Sequence, residues 1–371
     1  MGCFLRLKFG YKRDTKNIDA DVAASTGTDD LDRKKEKDFD GSHGCARKYS
    51  WSEIEKLSMN FSQIVGSGGF SMVYLAHLPG SSVGAIKIHC PSDYLNRVFK
   101  QELEILLQLQ HDNIVKLLGY CDNQDEGALV FEYVSNGTLQ DKLHGAGREI
   151  RKSSSTGTVL SWRKRVAIAY QLAQALEYLH EKCPLQIVHG DIKPSNILLD
   201  EQLNCKLCDF GFAKMGFSSA ITPSNNRKQV LMGSPGYTDP HYLRTGVASK
   251  KNDVYSYGVI ILELVTGMEA FCEGRGQGQL LTSTIGPILK NIIAGGDECS
   301  PMKVAEMVDP KLGGDFEVKE VKAMISLAAL CLGQSPSLRP SSAQILQTIE
   351  ENIASSISLL CKQKNDLPNQ C

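Results

Sequence analysis

The sequence predicts an α+β fold with two lobes, a small β-rich lobe followed by a larger, mainly α-helical one. Between residues 61 and 134, short runs of β-branched and aromatic residues alternate with turn residues, a pattern typical of strands. One amphipathic helical stripe interrupts these strands, and from residue 135 to 352 the apolar residues recur mostly with the helical period. With 371 residues and 42% hydrophobic content, the chain is long enough to bury a sizeable core in such a domain.

The predicted elements of the small lobe begin with an antiparallel hairpin. Residues 73–76 and 83–88 form its strands, separated by the turn signal Pro-Gly-Ser-Ser at 79–82. A helix is expected to pack on this sheet through an apolar stripe of Phe99, Leu103, Leu106 and Leu107. In the large lobe, a helix is expected after Ser161, a candidate N-cap, with a buried face formed by Ala169, Leu172, Leu176 and Leu179.

The charge balance and the cysteine pattern exclude several classes of protein. Lys and Arg number 41 against 42 Asp and Glu, so no global field draws the chain onto nucleic acid, and no nucleic-acid partner is expected. No window of 18 apolar residues is present, and the first residues lack the apolar stretch of a signal peptide. The 12 Cys are scattered without the spacing of a small disulfide scaffold, which favours reduced thiols and a cytoplasmic location.

The first residues differ in composition from the rest of the chain. They are polar and open with a basic group, Arg6, Lys8, Lys12, Arg13 and Lys16. Such a segment cannot bury enough apolar surface to offset its ordering entropy. We therefore expect a disordered arm at 1–50, a lead-in at 51–60, the main domain at 61–352 with lobes 61–134 and 135–352, and a tail at 353–371.

A glycine-rich run, Gly-Ser-Gly-Gly-Phe-Ser at 66–71, precedes the first strand of the hairpin. A dinucleotide-binding glycine turn would lead into a helix, and a P-loop would carry Gly-Lys-Ser or Gly-Lys-Thr, so neither fits. Glycines in a hairpin loop let backbone N–H groups come close to phosphate oxygens. On this motif alone, an ordinary flexible β-turn is an equally good interpretation.

Four further motifs follow in order: Ala-Ile-Lys at 85–87, His-Gly-Asp-Ile-Lys-Pro-Ser-Asn at 189–196, Asp-Phe-Gly at 209–211, and Gly-Ser-Pro-Gly-Tyr-Thr-Asp-Pro at 233–240. Together the series resembles the signature set of eukaryotic protein kinases over about residues 61–352. The stretches 129–139, 160–163, 175–180 and 253–259 narrow the likeness to plant receptor-like kinases. Because no membrane span is visible, the chain resembles their cytoplasmic branch. Lys193, two residues after Asp191, is where serine/threonine kinases carry a lysine, so the resemblance implies serine/threonine specificity.

The resemblance implies a division of work among the charged residues. Phosphoryl transfer depends on positioning and charge neutralisation, for which the family uses ATP with Mg²⁺ or Mn²⁺. The catalytic residues would be Asp191, which accepts the substrate hydroxyl proton, and Lys193, Lys87 and Glu102; the metal ligands would be Asn196 and Asp209. Glu104 is the alternative partner of Lys87, but it lies about 200° further round a helix than Glu102.

The adenine ring needs apolar faces above and below it and backbone hydrogen bonds at its edge. By resemblance the cofactor-binding residues are Gly66, Ser67, Gly68, Val73, Ala85, Lys87, Phe131, Glu132, Val134 and Leu198. Each of the apolar residues, taken singly, is explained as well or better by ordinary core packing. Their value as a prediction is joint, because every apolar position carries a suitable residue.

Three positions depart from the family pattern. Ser71 replaces the third glycine of the loop, which removes some flexibility. Gly190 replaces the arginine before the catalytic aspartate, so the chain resembles the non-RD class. In kinases that have this arginine, it pairs with phosphate on the activation loop. His241 stands where the family carries a glutamate that pairs with an arginine, here Arg339, and Asp239 is the candidate replacement.

Three other interpretations of the sequence are disfavoured. Cys205 and Cys208 suggest a redox or zinc pair, but residues three apart on a strand point to opposite faces. A pseudokinase scaffold is the alternative function, disfavoured because Lys87, Glu102, Asp191, Asn196 and Asp209 are all present. A small-molecule kinase is disfavoured because residues 233–240 resemble a platform for protein substrates.

The N-terminus combines three features that favour membrane contact. Gly2 resembles a myristoylation site, Cys3 resembles a palmitoylation site, and basic residues follow. Two such signals anchor a protein stably, whereas one acyl chain binds only marginally. Arg6 stands where the myristoylation pattern has Ser or Thr, so an unmodified, solvated arm remains the alternative. The arm thus suggests contact with the cytosolic face of the plasma membrane. The resemblance to receptor-like kinases implies two further partners, protein substrates and an upstream receptor kinase.

Overall fold

A computed structural model of the chain describes residues 46–90, 92–123, 127–145, 159–216, 233–293 and 301–353. The predictions for residues 1–45, which include Gly2 and Cys3, and for the tail beyond residue 353 lie outside these ranges. Within them the chain has a β-sheet lobe followed by a helical lobe, which confirms the predicted α+β class. No helix in the described ranges is long and apolar enough to cross a membrane.

The small lobe is built on one sheet of six strands. In chain order the strands are β1 (Arg47–Lys48), β2 (Ile64–Ser67), β3 (Ser71–His77), β4 (Val83–His89), β5 (Leu117–Asp122) and β6 (Gly127–Glu132). Their spatial order is β1-β5-β6-β4-β3-β2, antiparallel except for the β1–β5 pair. The predicted hairpin is confirmed as β3 and β4, with Val73 opposite Lys87.

The predicted boundary of the disordered arm is wrong for residues 46–50. Strand β1 pairs Arg47 with Gly119 of β5, and the Tyr49 amide donates to the Tyr120 carbonyl at 2.8 Å. Helix α1 (Trp51–Leu57) follows at once, and Ser50 caps it in a capping box. The polar average of the segment concealed Tyr49, whose buried ring supplies the apolar contact that holds this edge strand.

Helix α2 (Asp93–Leu106) carries the predicted apolar stripe with one error. Phe99, Leu103 and Leu106 are buried, whereas Leu107 is 48% exposed. Leu107 lies about 80° round the helix from Phe99. It also falls at the C-cap, where the chain leaves the helix, so its side chain turns away from the sheet.

The large lobe is mainly helical. Its helices are α3 (Leu139–His144), α4 (Trp162–Glu177), α5 (Pro240–Thr245), α6 (Lys250–Thr266), α7 (Leu281–Ile293), α8 (Pro301–Glu306), α9 (Val318–Cys331) and α10 (Ser342–Asn352). Helix α6 is buried along nearly its whole length and packs on α4 and α9, so it forms the centre of this lobe. The face predicted for α4, Ala169, Leu172 and Leu176, is fully buried, and Leu179 is buried in the π-turn that follows.

Four short strands lie on the side of the large lobe that carries the sequence motifs at 189–196 and 209–211. They are β7 (Ile187–Val188), β8 (Ile197–Leu199), β9 (Cys205–Leu207) and β10 (Lys214–Met215), paired as β8–β9 and β7–β10. The Val115 amide donates to the Leu207 carbonyl at 3.0 Å, which ties β9 to the segment leading into the small-lobe strand β5. The two lobes therefore meet beside the motifs at 189–196 and 209–211.

Candidate active site

The glycine run forms the loop between strands β2 and β3, as the sequence predicted. The Gly68 amide donates to the Ser71 carbonyl at 2.8 Å and closes the turn. Gly66 and Ser67 lie at the end of β2, opposite Val73 and Met72. Ser71, which stands in place of a third glycine, begins β3 and pairs with His89, so an L-residue fits the backbone there.

Lys87 of β4 lies at the centre of a buried charge cluster. Its Nζ donates to Glu102 Oε1 at 2.8 Å, to Glu102 Oε2 at 3.0 Å and to Asp209 Oδ1 at 2.7 Å. Glu102 is 1% exposed, whereas Glu104 faces solvent, so the structure pairs Lys87 with the glutamate that helical geometry favoured. His89 joins the cluster through Glu102, a contact that no sequence pattern predicted.

Electrostatic interactions keep Lys87, Glu102 and Asp209 charged. Burial acts to lower the pKa of Lys87, but the carboxylates of Glu102 and Asp209 outweigh it and raise that pKa above its usual value. Burial acts in the opposite sense on Asp209, and the Lys87 ammonium outweighs it, so the pKa of Asp209 falls to about 2. Asp209 is therefore an anion at neutral pH, and with a side chain 39% exposed it is accessible to a ligand.

Asp191 lies at the centre of a second hydrogen-bonded group. Lys193 Nζ donates to Asp191 Oδ2 at 2.7 Å, and Asn196 Nδ2 donates to the Asp191 carbonyl at 2.8 Å and to Oδ2 at 3.1 Å. The Ser234 hydroxyl donates to Asp191 Oδ1 at 2.8 Å and accepts from Lys193 Nζ at 2.9 Å. The carboxylate thus already accepts a hydrogen bond from a seryl hydroxyl of the 233–240 segment.

Asp253 of α6 holds the backbone on which Asp191 is carried. Its carboxylate accepts from the amides of His189 at 2.8 Å and Gly190 at 2.9 Å, and it contacts His180 Nε2 at 2.9 Å. Gly190 has a φ of +80°, and a Cβ there would lie 3.1 Å from the Phe212 carbonyl oxygen. The supporting role of Asp253 was not predicted. The feature that could have indicated it is the position of this aspartate in the first turn of a strongly apolar helix.

Asp209 adopts a left-handed backbone conformation, with a φ of 64°. Such a conformation is uncommon for a residue with a side chain and needs support from its surroundings. The next residue, Phe210, is buried, and its ring meets the His189 ring at a centroid distance of 4.8 Å. This contact joins the Asp-Phe-Gly motif to the segment that carries Asp191.

The predicted adenine-binding residues lie along the junction of the two lobes. Ala85 of β4 is opposite Phe131 of β6, and Leu198 of β8 bridges to Thr138. Val73, Ala85, Val134 and Leu198 are each only partly buried, unlike ordinary core residues. The Glu132 side chain is held by Lys206 Nζ at 2.8 Å, and its amide donates to the Lys116 carbonyl at 3.1 Å.

Oxygen donors for a divalent cation are present in the predicted ligands. Asp209 offers an ionised, partly exposed carboxylate, and Asn196 offers a carboxamide oxygen beside Asp191. Mg²⁺ binds hard oxygen ligands of this kind, so the residues fit the metal that the sequence predicted. The pKa values of the Cys205 and Cys208 thiols are raised, mainly by burial, and for Cys205 to about 12, so both stay protonated at neutral pH.

Arg339 makes the ion pair for which the sequence proposed Asp239. Its Nη1 donates to Asp239 Oδ2 at 2.6 Å and its Nη2 donates to Oδ1 at 2.9 Å, a bidentate pair in which both side chains are 1% exposed. Asp239 also caps α5 by accepting from the His241 amide at 2.8 Å. The pair joins the 233–240 segment to the end of the large lobe.

A cavity of about 380 Å³ lies beside Gly190, between α2 and the 238–256 region. Arg97 and Lys214 line it together with Tyr94 and Phe212. Asp239 and Asp253 also line the cavity, whereas Lys87, Asp191 and Asn196 do not.

Comparison with known proteins identifies a matching family and relatives that cover most of the chain. A family model described as protein kinase domain matches residues 59–349. A protein named as a probable receptor-like protein kinase, from Arabidopsis thaliana, is 50% identical over 318 residues, which cover 84% of this chain and 90% of that protein. Salt tolerance receptor-like cytoplasmic kinase 1 of Oryza sativa subsp. japonica is 50% identical over 307 residues, 82% of this chain and 80% of that protein.

A more distant relative is much longer than this chain. A probable LRR receptor-like protein kinase of Arabidopsis thaliana is 36% identical over 308 residues, which cover 83% of this chain but 33% of that protein.

Proposed function

The chain belongs to the protein kinase family, and on that premise we propose that the groups around Asp191 and Lys87 transfer the γ-phosphate of ATP to protein Ser and Thr hydroxyls. It is a serine/threonine protein kinase of plant signalling, with protein substrates. The observation that carries the proposed site is the Ser234 hydroxyl, which donates to Asp191 Oδ1 at 2.8 Å. A carboxylate that accepts from one seryl hydroxyl can orient another and take up its proton.

Asp191 is the proposed base, and its neighbours fix its orientation. Asn196 donates to Asp191 Oδ2 and to the Asp191 carbonyl. The other carboxylate oxygen, Oδ1, would accept the hydrogen bond from the substrate hydroxyl. Lys193 Nζ lies 2.7 Å from Asp191 Oδ2 and 2.9 Å from the Ser234 hydroxyl. A cation in this position would stabilise the negative charge that develops on the phosphoryl oxygens during transfer.

Lys87 is the proposed contact to the α- and β-phosphates, and Glu102 holds it. Its ammonium is charged and buried, so in this low-dielectric environment it interacts strongly with an anion. Asp209 and Asn196 are the proposed ligands of Mg²⁺, or of Mn²⁺. The metal, when bound, neutralises phosphate charge. Lys87 would share its N–H groups with the nucleotide phosphates, which would leave the Asp209 carboxylate free to hold the cation.

The nucleotide base is proposed to lie between the lobes. Val73 and Ala85 would cover one face and Leu198 the other, while Phe131 closes the back. Backbone groups of Glu132 and Val134 would meet the edge of the ring. The partial burial of Val73, Ala85 and Leu198 supports this assignment, because a residue facing an open cleft is neither fully buried nor fully exposed. Gly66, Ser67 and Gly68 would cover the phosphates with their backbone amides.

We further propose that the chain is of the non-RD type. Gly190 carries no guanidinium to pair with an activation-loop phosphate, and its φ of +80° disfavours any residue with a side chain. Arg97 and Lys214 line the cavity beside Gly190 and would be the nearest substitutes for the missing guanidinium. Activity independent of activation-loop phosphate is the expected consequence.

The location and partners are proposed from the relatives and the N-terminal arm. A relative with 50% identity is named a receptor-like cytoplasmic kinase, which supports a cytoplasmic location and an upstream receptor kinase as a partner. Acylation of Gly2 and Cys3 would place the chain on the cytosolic face of the plasma membrane. The proposed domain is 61–352, followed by the tail, and the segment before it adds strand β1 to the sheet of the small lobe.

A matched pair of variants on α2 tests the proposed site. With ATP and Mg²⁺, the purified chain is expected to phosphorylate itself on Ser or Thr. Glu102→Gln removes the charge that holds Lys87 and is expected to lower the rate of transfer about 10-fold to 100-fold. Glu104→Gln, an exposed change on the same helix, should keep the wild-type rate. Equal rates for the two variants would contradict the site.

A further inference from the structure

His89 is a buried imidazole that touches the proposed site without belonging to the motifs that identify it. It lies at the end of β4, two residues after Lys87, with a side chain that is 7% exposed. Its Nε2 is 3.1 Å from Glu102 Oε2. Its ring also meets the edge of Phe99 of α2 at a centroid distance of 6.0 Å.

The surroundings of the ring indicate which nitrogen carries the proton. His89 Nδ1 is buried, and no hydrogen-bond partner for it is present in the described part of the chain. A buried N–H without a partner is costly and rare, so a proton on Nδ1 is disfavoured. The neutral ring with its proton on Nε2 leaves only a lone pair unsatisfied and gives Glu102 a donor.

Glu102 benefits from a second donor because Lys87 divides its own hydrogen bonds between Glu102 and Asp209. The Lys87 ammonium has three N–H groups, and it contacts both Glu102 oxygens and Asp209. If Lys87 also contacts nucleotide phosphates, its three N–H groups are shared among more acceptors, and fewer of them are available to Glu102. A buried carboxylate that loses its donors pays a large desolvation cost.

We propose that His89 is a positioning residue, which donates from Nε2 to Glu102 and keeps that carboxylate in place while Lys87 engages the nucleotide. The inference rests on the proposed roles of Lys87 and Glu102. Burial acts to raise the pKa of Glu102, but the Lys87 charge and the hydrogen bond from His89 outweigh it and hold that pKa below its usual value. The second donor therefore helps to keep Glu102 ionised.

A packing role for His89 makes different predictions. If the ring only fills space beside Phe99, an apolar residue of similar size should replace it without loss of activity. If the Nε2 donor matters, His89→Leu should lower kcat/KM for ATP about tenfold, because a hydrogen bond to a charged group is lost. His89→Gln, whose amide nitrogen can take the place of Nε2, should recover activity to within about threefold of wild type. His89→Asn, which is shorter by one carbon, should not.

The experiment measures kcat and KM for ATP with the full chain, using His77→Leu, an exposed imidazole of the same sheet, as the control. The decisive comparison places His89→Leu in a Glu102→Gln background. If His89 acts through Glu102, the second change should cost less than about twofold there, because the two effects are not additive. If the His89→Leu variant is too unstable to assay, the difference between the Gln and Asn variants decides.

Two outcomes would overturn the proposal: His89→Leu with wild-type kinetics, or a tenfold loss that persists in the Glu102→Gln background. The ¹⁵N shifts of the His89 ring offer a second measurement, in which a proton on Nδ1 would also overturn it. Lys87→Met separates this failure from failure of the proposed function. If Lys87→Met keeps wild-type transfer, the site assignment itself is wrong, whereas an inactive Lys87→Met beside a normal His89→Leu refutes only the role of His89.

Discussion

Replacing Asp239 by Ala is expected to destabilise the large lobe more than most single substitutions. The change removes both hydrogen bonds to the Arg339 guanidinium, at 2.6 and 2.9 Å, from a pair that is 1% exposed on each side. It also removes the N-cap of α5. Arg339 then remains as a buried cation whose described contacts are the backbone carbonyls of Gly333 and Lys251 and the Tyr255 ring.

The magnitude follows from these losses. Removing one partner of a buried ion pair typically costs about 3–5 kcal/mol, because the other charge stays buried without compensation. The carbonyls that still accept from Arg339 put the cost at the lower end, about 3 kcal/mol. Loss of the cap adds about 1 kcal/mol. We therefore expect the free energy of unfolding to fall by about 4 kcal/mol, a large share of the total for a domain of ordinary stability.

The assay is chemical denaturation of the wild type, Asp239→Ala, Arg339→Met and the double variant. The double variant leaves no unpaired buried charge, so it should be more stable than Asp239→Ala although it carries one more substitution. A loss below about 1 kcal/mol for Asp239→Ala would show that the pair does not hold the lobe together. A double variant less stable than Asp239→Ala would refute the argument from an uncompensated charge.

Three further predictions concern the activation loop, a buried carboxyl group and the arm. The first variant changes four residues of the activation loop to Ala, namely Ser218, Ser219, Thr222 and Ser224. Because Gly190 has no guanidinium, most activity towards an external peptide should survive this change, and a loss of about 100-fold would implicate Arg97 and Lys214 instead. Burial raises the pKa of Glu263 in the folded protein above that of an ordinary carboxyl group. The free energy of unfolding of the wild type should therefore fall as the pH rises from the ordinary pKa through the raised one. Glu263→Gln should lack this fall, and an equal slope in both proteins would contradict the reasoning. A reporter fused after residue 48 should lie at the plasma membrane and be released by Gly2→Ala or Cys3→Ser, whereas a diffuse unmutated reporter would contradict acylation.

The sequence predicted the parts of the molecule that short-range chemistry determines. The β3–β4 hairpin followed from a turn signal between two apolar runs, and the preference for Glu102 over Glu104 followed from the angular spacing of a helix. The pairing of Asp239 with Arg339, which are 100 residues apart, was expected from the family resemblance, because His241 cannot supply the carboxylate that the family carries there. In each case the residues in question were fixed by local geometry or by a motif of known spacing.

The parts that the sequence did not predict depend on contacts between distant segments. His89 meets Glu102 only because α2 packs on β4, and a lone histidine in a strand has no pattern that announces such a contact. Asp253 supports the Gly190 backbone across more than 60 residues of chain. The placement of residues 46–50 was missed because composition averages over a window, whereas a single buried ring at Tyr49 holds the edge strand.

The most direct test of the proposed mechanism compares the wild type with Asp191→Asn in transfer of labelled γ-phosphate from ATP, followed by identification of the phosphorylated amino acids. The wild type is expected to place phosphate on Ser and Thr. Because the Asn carboxamide cannot take up the hydroxyl proton, transfer by the variant should fall by about 100-fold to 10,000-fold while the protein stays folded. Transfer at the wild-type rate by folded Asp191→Asn would contradict the assignment of Asp191 as the base.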